Sequence, residues 1–398
     1  MKLQNLPVVA RNLAARALRR MERWLSARAR ATRAFGKRTG RAAEVLAPAS
    51  SMASIGDAAR RAGVRASRRA ERFQQHVVAP MREERAVLSR LRDIASGDAP
   101  IIVGPWISEV GYEVLYWVPF LRWFQDRYAI APQRIIAVSR GGVAWWYDGI
   151  ASRYVDVLDL YAPDAFASQG EARRSAGDQK QLEPSRWERD IVGDVRRRLG
   201  LGDAQALHPG LMYRLFRGVW HGDRGLDFLL THTEYARPRP PLAAEDEGLP
   251  TTFAAVKFYT GPALPDTPDT REQLHAAVAR VAQRMPVISL DTGLGLDEHR
   301  DYLFNGVSGV LDLRDRMTPA TNLAVQSRIM ARASLYVGTC GSLAWLAPML
   351  GVPTVAAYTD DRYLAAHLYA ARYAYRRMGA ARFSVVDLRA VARVLSAA

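Results

Sequence analysis

What most constrains this chain is an alternation that runs through it twice. From residue 99 onward, short apolar runs of strand length are separated by Gly- and Pro-containing loops and by longer stretches with apolar residues at helical spacing. Strand, loop, helix, strand is the pattern of a parallel α/β sheet, because parallel neighbours need a long crossover between them. The first series places a strand at 101–105 ending in Gly-Pro, a loop at 106–111 and a helix at 112–128. A strand at 134–139 follows, ending at Arg140-Gly141-Gly142, and a third at 155–160. The second series places strands at 253–259, 287–291, 310–313, 334–337 and 354–358, with helices at 271–285, 297–304, 322–333 and 343–350.

Between the two lies a polar stretch, 163–250, with one helix near 187–199. It ends in the Pro-rich run 237–241 and an acidic turn, Glu245-Asp246-Glu247, which reads as a linker. The expected fold class is therefore α/β, with two Rossmann-like domains, 99–240 and 251–375, facing a cleft. Crossover handedness puts the C-terminal ends of both sets of strands at that cleft. Residues 376–398 are expected to form a C-terminal helical segment.

Charge separates the remaining part of the chain. Residues 1–98 hold 22 Lys and Arg against 8 Asp and Glu, whereas the rest holds 34 against 32, so nearly all of the formal net charge of +16 lies in an N-terminal extension. A nucleic-acid role for the main body loses its support by that comparison, and no nucleic-acid partner is expected. Within 1–35, Leu6, Val9, Leu13, Ala17, Met21 and Trp24 recur at spacings of three or four, with arginines between them. This basic amphipathic helix suits an anionic membrane surface, or docking on the body or a second subunit, so oligomerisation stays open. A Gly-, Pro- and Ser-containing break at 36–51 precedes a second basic segment, 55–94. No apolar run approaches the length of a spanning helix and no secretory signal pattern is present, so a cytoplasmic protein, peripheral to the membrane, is expected.

The strongest local motif is 334–358: a strand, a turn of small residues, a short apolar helix, a Gly-Val-Pro break and another strand. Gly338 and Gly341 allow close backbone approach, Thr339 and Ser342 offer hydroxyls, and helix-start N–H groups favour an anion, so the turn reads as a phosphate cradle or as an ordinary tight βα turn. A cysteine nucleophile elbow at Cys340 is disfavoured. The third Gly of that motif is Ser342, and only His367 follows as a histidine.

Residues 334–358 resemble the C-terminal-domain signature of GT-B-fold glycosyltransferases, and the strand–loop–helix element 101–124 is similar to that superfamily's N-terminal domain. The resemblance covers about residues 100–375, without pointing to one family. It implies a nucleotide-sugar donor whose diphosphate lies against the 338–342 turn, although that turn lacks the acidic or histidine residue more familiar there. It also implies a glycan or lipid-linked acceptor, with no cofactor besides the donor and no bound catalytic metal.

Inverting transfer to a hydroxyl requires a base, and the departing diphosphate requires positive charge or N–H donors. Glu109 and Glu113, four apart, are the candidate bases, with Glu109 first because it lies in a loop. Helix capping, or pairing with Arg140, is the plainer role for either. Arg140 and Lys257 are candidate phosphate contacts, with a Lys257–Asp291 ion pair as the structural alternative, and Asp291 is otherwise a candidate nucleotide contact. Trp145, Trp146 and Tyr147 could stack on a sugar or fill the core. His208, His221 and His232 have no ligand spacing. A nucleotide-sugar epimerase and a non-catalytic binding or assembly protein are the rival readings.

Overall fold

The computed structural model describes residues 78–177, 181–241, 248–296, 299–362 and 364–390. The expectations for the basic segment 1–35, the break at 36–51 and most of 55–94 fall outside them. The chain divides into two compact units, Met1–Arg85 and Ala86–Ala398. All that follows concerns the second, apart from the start of a helix, Ala79–Ala95, that runs across the division. Val87, Leu91 and Ile94 of that helix, at spacings of four and three, are buried in the core of the second unit.

Two parallel sheets form the body. In the first, β1 (Ile101–Val103), β2 (Ile135–Ser139), β3 (Arg153–Asp156) and β4 (Gln205–Leu207) take the order β3-β2-β1-β4. β1 and β2 are buried along their whole length, as strands covered by helices on both faces must be, and this explains their apolar composition, interrupted only by Ser139 at the end of β2. Ile101 pairs with Ile135 on one side and with Gln205 on the other. β4 closes the edge with a strand of intermediate burial that has no period-two signal, so it escaped the sequence reading.

The second sheet comprises β5 (Ala254–Lys257), β6 (Val287–Ser289), β7 (Val310–Asp312), β8 (Leu335–Thr339), β9 (Thr354–Tyr358) and β10 (Phe383–Asp387). Its order, β10-β9-β8-β5-β6-β7, is the 3-2-1-4-5-6 order of a dinucleotide-binding Rossmann sheet. β10 lies in the tail expected to be helical. A further helix, Ala365–Met378, crosses back so that Phe383–Asp387 can pair with β9 in register from Thr354 to Tyr358.

Two further expectations change. Residues 299–304 are extended rather than helical: Asp301 bridges to Tyr259, and Tyr302 N–H donates to the Phe258 carbonyl. The helical run starting at Val110–Tyr112 passes through a π-helical turn, Glu113–Trp117, before Val118–Tyr128 continues it. Such turns occur often beside functional sites.

Candidate active site

In an open α/β sheet, ligands bind beyond the strand C-termini where the strand order reverses. For the second sheet that point lies between β5 and β8. Opening there, between the two domains, is a cavity of about 1330 Å³. The loop after β5 (Tyr259 to Ala263) and the turn after β8 (Thr339 to Ser342) line one side. Glu109, Gly111, Tyr112, Tyr116, Tyr213 and Trp220 line the other. The volume exceeds that of a pocket for one small ligand, leaving room for two substrates.

The turn after β8 is held open by its own geometry. The Thr339 hydroxyl accepts from Tyr259 N–H at 2.9 Å and donates to the Tyr259 carbonyl at 3.0 Å, tying the β5 and β8 loops together. Its hydroxyl is thus engaged in joining the two loops, while Thr339 itself stands on the cavity wall. Gly338 does not line the cavity. A Cβ there would meet the Lys257 carbonyl at 2.3 Å, so its small size serves strand packing. Gly341 is different: it lines the cavity, and a Cβ at its φ of +154° would lie 2.5 Å from the Tyr259 hydroxyl. Ser342 holds φ +43°, ψ −121°, a strained backbone for a non-glycine residue. The following helix, Leu343–Met349, has no side-chain cap; Ala344 N–H donates to the Gly341 carbonyl at 2.8 Å and Trp345 N–H to the Ser342 carbonyl at 3.1 Å.

The two domains meet at this turn. A Cβ on Gly111 would lie 3.0 Å from the Ser342 nitrogen, so a glycine is needed where the Val110–Tyr112 segment abuts the β8 turn. Glu109, one residue before that segment, is exposed on the cavity wall. Glu113 is not. It is fully buried, accepting hydrogen bonds from the Ser139 hydroxyl at 2.5 Å and the Tyr147 hydroxyl at 2.6 Å. Burial pushes its carboxyl up to about 7 against the pull of those two hydroxyls and of Arg140. The four-residue spacing therefore does not bring both carboxyls to the cleft. The π-helical turn begins at Glu113, whose carboxyl meets Ser139 and Tyr147, whereas Glu109 lines the cavity.

Lys257 and Arg140 reach a second, smaller cavity of about 70 Å³ that shares Tyr259, His299 and Ser342 with the first. Lys257 Nζ pairs with Asp301 at 2.9 Å and donates to the Leu290 carbonyl at 3.3 Å. Asp301 also accepts from Thr292 N–H, so the segment expected to be helical instead runs beside the sheet and supplies the counter-ion of a half-buried lysine. Asp291 is not that partner. It is 2% exposed, takes a hydrogen bond from Ser289 and faces Arg314 at 2.9 Å, away from both cavities. Burial raises its pKa, with Ser289 and Arg314 opposing. Arg140 donates to the Ser108 carbonyl at 2.7 Å, fixing the loop just ahead of Glu109.

Trp145, Trp146 and Tyr147 are core residues. The aromatic surface facing the cavity is built instead from Tyr112, Tyr116, Tyr213 and Trp220, in mutual contact at centroid separations of 5.4–5.8 Å. His367, from the second domain, closes this cluster: its Nε2 lies 3.2 Å from the Tyr112 hydroxyl and its Nδ1 2.6 Å from that of Tyr116. The i, i+4 pair Tyr112/Tyr116 and the i, i+7 pair Tyr213/Trp220 were readable as helix faces, but nothing in the sequence shows that the two faces meet.

Burial pushes the Cys340 thiol up to about 12, which removes it as a nucleophile. His208 caps the helix Pro209–Trp220 through Nδ1 and contacts Glu188 through Nε2 at 3.2 Å; His232 packs on Trp123 and Phe228, and His221 lines the large cavity. Among the described residues no group of three or more His, Cys, Asp or Glu could hold a metal ion, and no helix is long and apolar enough to cross a membrane.

The fold is thus two Rossmann-like domains facing a cleft, a GT-B-like layout. No family model and no curated protein sequence matches the chain. Among solved structures it is similar to the iron-containing dodecameric glycosyltransferase TibC of enterotoxigenic E. coli, at 14% identity over 65% of this chain and 58% of that one, with a TM-score of 0.38. The ADP-heptose LPS heptosyltransferase II of E. coli shares 13% identity over 65% and 84%, with a TM-score of 0.36. A family 9 glycosyl transferase of Veillonella parvula shares 12% over 75% and 90%, with a TM-score of 0.41. The match takes in just under three-fifths of TibC's length. These likenesses are weak, and the chemistry is a matter for the site's own residues.

Proposed function

We propose that this chain is a glycosyltransferase that moves a sugar from a nucleotide-sugar donor to a hydroxyl of a glycan or lipid-linked acceptor. The observation that carries the reading is the large cavity at the β5/β8 reversal, with an uncapped, glycine-bent turn on one wall and Glu109 on the other. The donor diphosphate lies against the N–H groups at Gly341 and Ser342, with Arg140 supplying positive charge from the adjoining space. Glu109 takes the proton of the acceptor hydroxyl as its oxygen bonds to the anomeric carbon. The bond from that carbon to the diphosphate oxygen breaks, and the nucleoside diphosphate leaves with the electron pair. The aromatic wall of Tyr112, Tyr116, Tyr213 and Trp220 holds the acceptor.

An epimerase is less well supported, because it needs at least two carboxyl groups around the sugar ring. Glu109 is the one acidic residue among the described residues lining the large cavity. The reaction is placed in the cytoplasm. The basic segment 1–35, outside the described residues, would bring the protein to an anionic membrane face.

A thermal-shift panel of nucleoside diphosphates tests the donor half: one of them raises Tm, since a ligand that binds only the native state stabilises it. Glu109→Gln keeps that shift and loses roughly 10²-fold or more in product formation. No response to any nucleoside diphosphate rejects the cradle, and full turnover by Glu109→Gln rejects the base.

A further inference from the structure

The helix Ala365–Met378 buries Ala370, Ala371, Ala374 and Tyr375 against the second domain. Helical periodicity then turns Tyr369, Arg372, Tyr373 and Arg376, at i, i+3, i+4 and i+7, outward as one stripe. Tyr369 is 70% exposed, the most exposed large hydrophobic side chain among the described residues, and Tyr373 is 38% exposed. Arg372 and Arg376 are also exposed, and among the described residues neither guanidinium is hydrogen-bonded or ion-paired. The stripe contains no acid. The neighbouring Arg377 is the arginine that reaches one, Glu234 at 4.0 Å. Tyrosine rings, and guanidinium groups on long aliphatic stems, are the side chains that settle at a lipid–water boundary. One turn before the stripe, Ala365, Ala366 and His367 line the large cavity.

We infer that this face docks on an anionic lipid surface and turns the mouth of the cavity toward it. Charge complementarity selects that partner. A symmetric contact with a second copy would bring two identical arginine stripes together, and the chain's own N-terminal extension is basic. The inference stands apart from glycosyl transfer, since vesicle binding is measured without turnover.

The test uses the full chain with Tyr369→Cys carrying an environment-sensitive fluorophore; the native Cys340 is buried and does not compete for label. Vesicles of phosphatidylglycerol and phosphatidylcholine should blue-shift the emission, pure phosphatidylcholine should not, and added salt should weaken the response. The same label at Leu311→Cys, on β7 at the opposite edge of the sheet from β10, should stay unshifted. Arg372→Ser with Arg376→Ser should lower the partition coefficient at least tenfold, given about fivefold per arginine near the surface. An unshifted label on vesicle-bound protein, or a double variant within twofold of the wild type, overturns the inference. So does an equal shift with RNA, or one that grows with protein concentration alone.

Discussion

Glu113 contributes to the pH dependence of this protein's stability in a direction opposite to that of most carboxylates. Its side chain is fully buried with two hydroxyl donors on one oxygen, and burial raises it from 4.5 to about 7. Between those values the folded chain holds a proton that the unfolded chain has released, so stability falls as pH rises through the window and levels off above it. That rise in pKa corresponds to about 3 kcal/mol at full ionisation. Glu113→Gln resembles the protonated form: its amide oxygen can accept from Ser139 and Tyr147, and it never ionises. Urea unfolding at a series of pH values from 4.5 to 8.5, on wild type and variant together, isolates the effect, because every other titration cancels in the difference. The two proteins should be nearly equal in stability near pH 4.5. The variant should be the more stable by about 3 kcal/mol at pH 8. A difference that does not change with pH refutes a Glu113 that titrates near neutrality.

Further outcomes follow from the glycines and from the buried acid of the first domain. Gly341→Ala pushes on the far end of Tyr259 and strains the turn, so it should cost about 1–2 kcal/mol in urea unfolding while weakening nucleoside diphosphate binding by about tenfold in the thermal-shift titration. Gly338→Ala drives a Cβ against the Lys257 carbonyl, which cannot swing aside, and should lower Tm more than Gly341→Ala does. Glu188 behaves oppositely to Glu113. Burial opposes its charge, but His208 and Ser185 outweigh burial and hold it at about 2. Its contribution, on the order of 3 kcal/mol, is present above pH 4.5 and lost as pH falls through 2, so wild type should lose more stability than Glu188→Gln over that range in acid unfolding.

The series of strands was legible because parallel strands covered on both faces are largely apolar, and 101–103, 135–138 and 355–357 are unbroken apolar runs. Gln205–Leu207 carries no such signal, and Phe383–Asp387 mixes exposed and half-buried positions as an edge strand, so both passed for other structure. Within the site, Glu109 and Gly341 could be placed from their loops. The roles of Thr339, Lys257 and Asp291 could not, since each is decided by a partner distant in sequence: Tyr259, Asp301 and Arg314. Local spacing shows what a residue is able to do, whereas burial decides which of its abilities are already used.

That distinction also explains why the proposed base and the proposed cradle come from different domains. In the first sheet the strand order reverses between β1 and β4, and the chain leaving β1 carries Glu109 and Gly111. In the second it reverses between β5 and β8, and the chain leaving β8 carries Gly341 and Ser342. Each reversal opens a crevice beyond its own strand ends. The close approach of Gly111 to the Ser342 nitrogen means that the two crevices meet. On the proposed reading, a donor held by one domain would lie beside a carboxylate that only the other can supply, so separating the domains would abolish turnover without touching a reacting group.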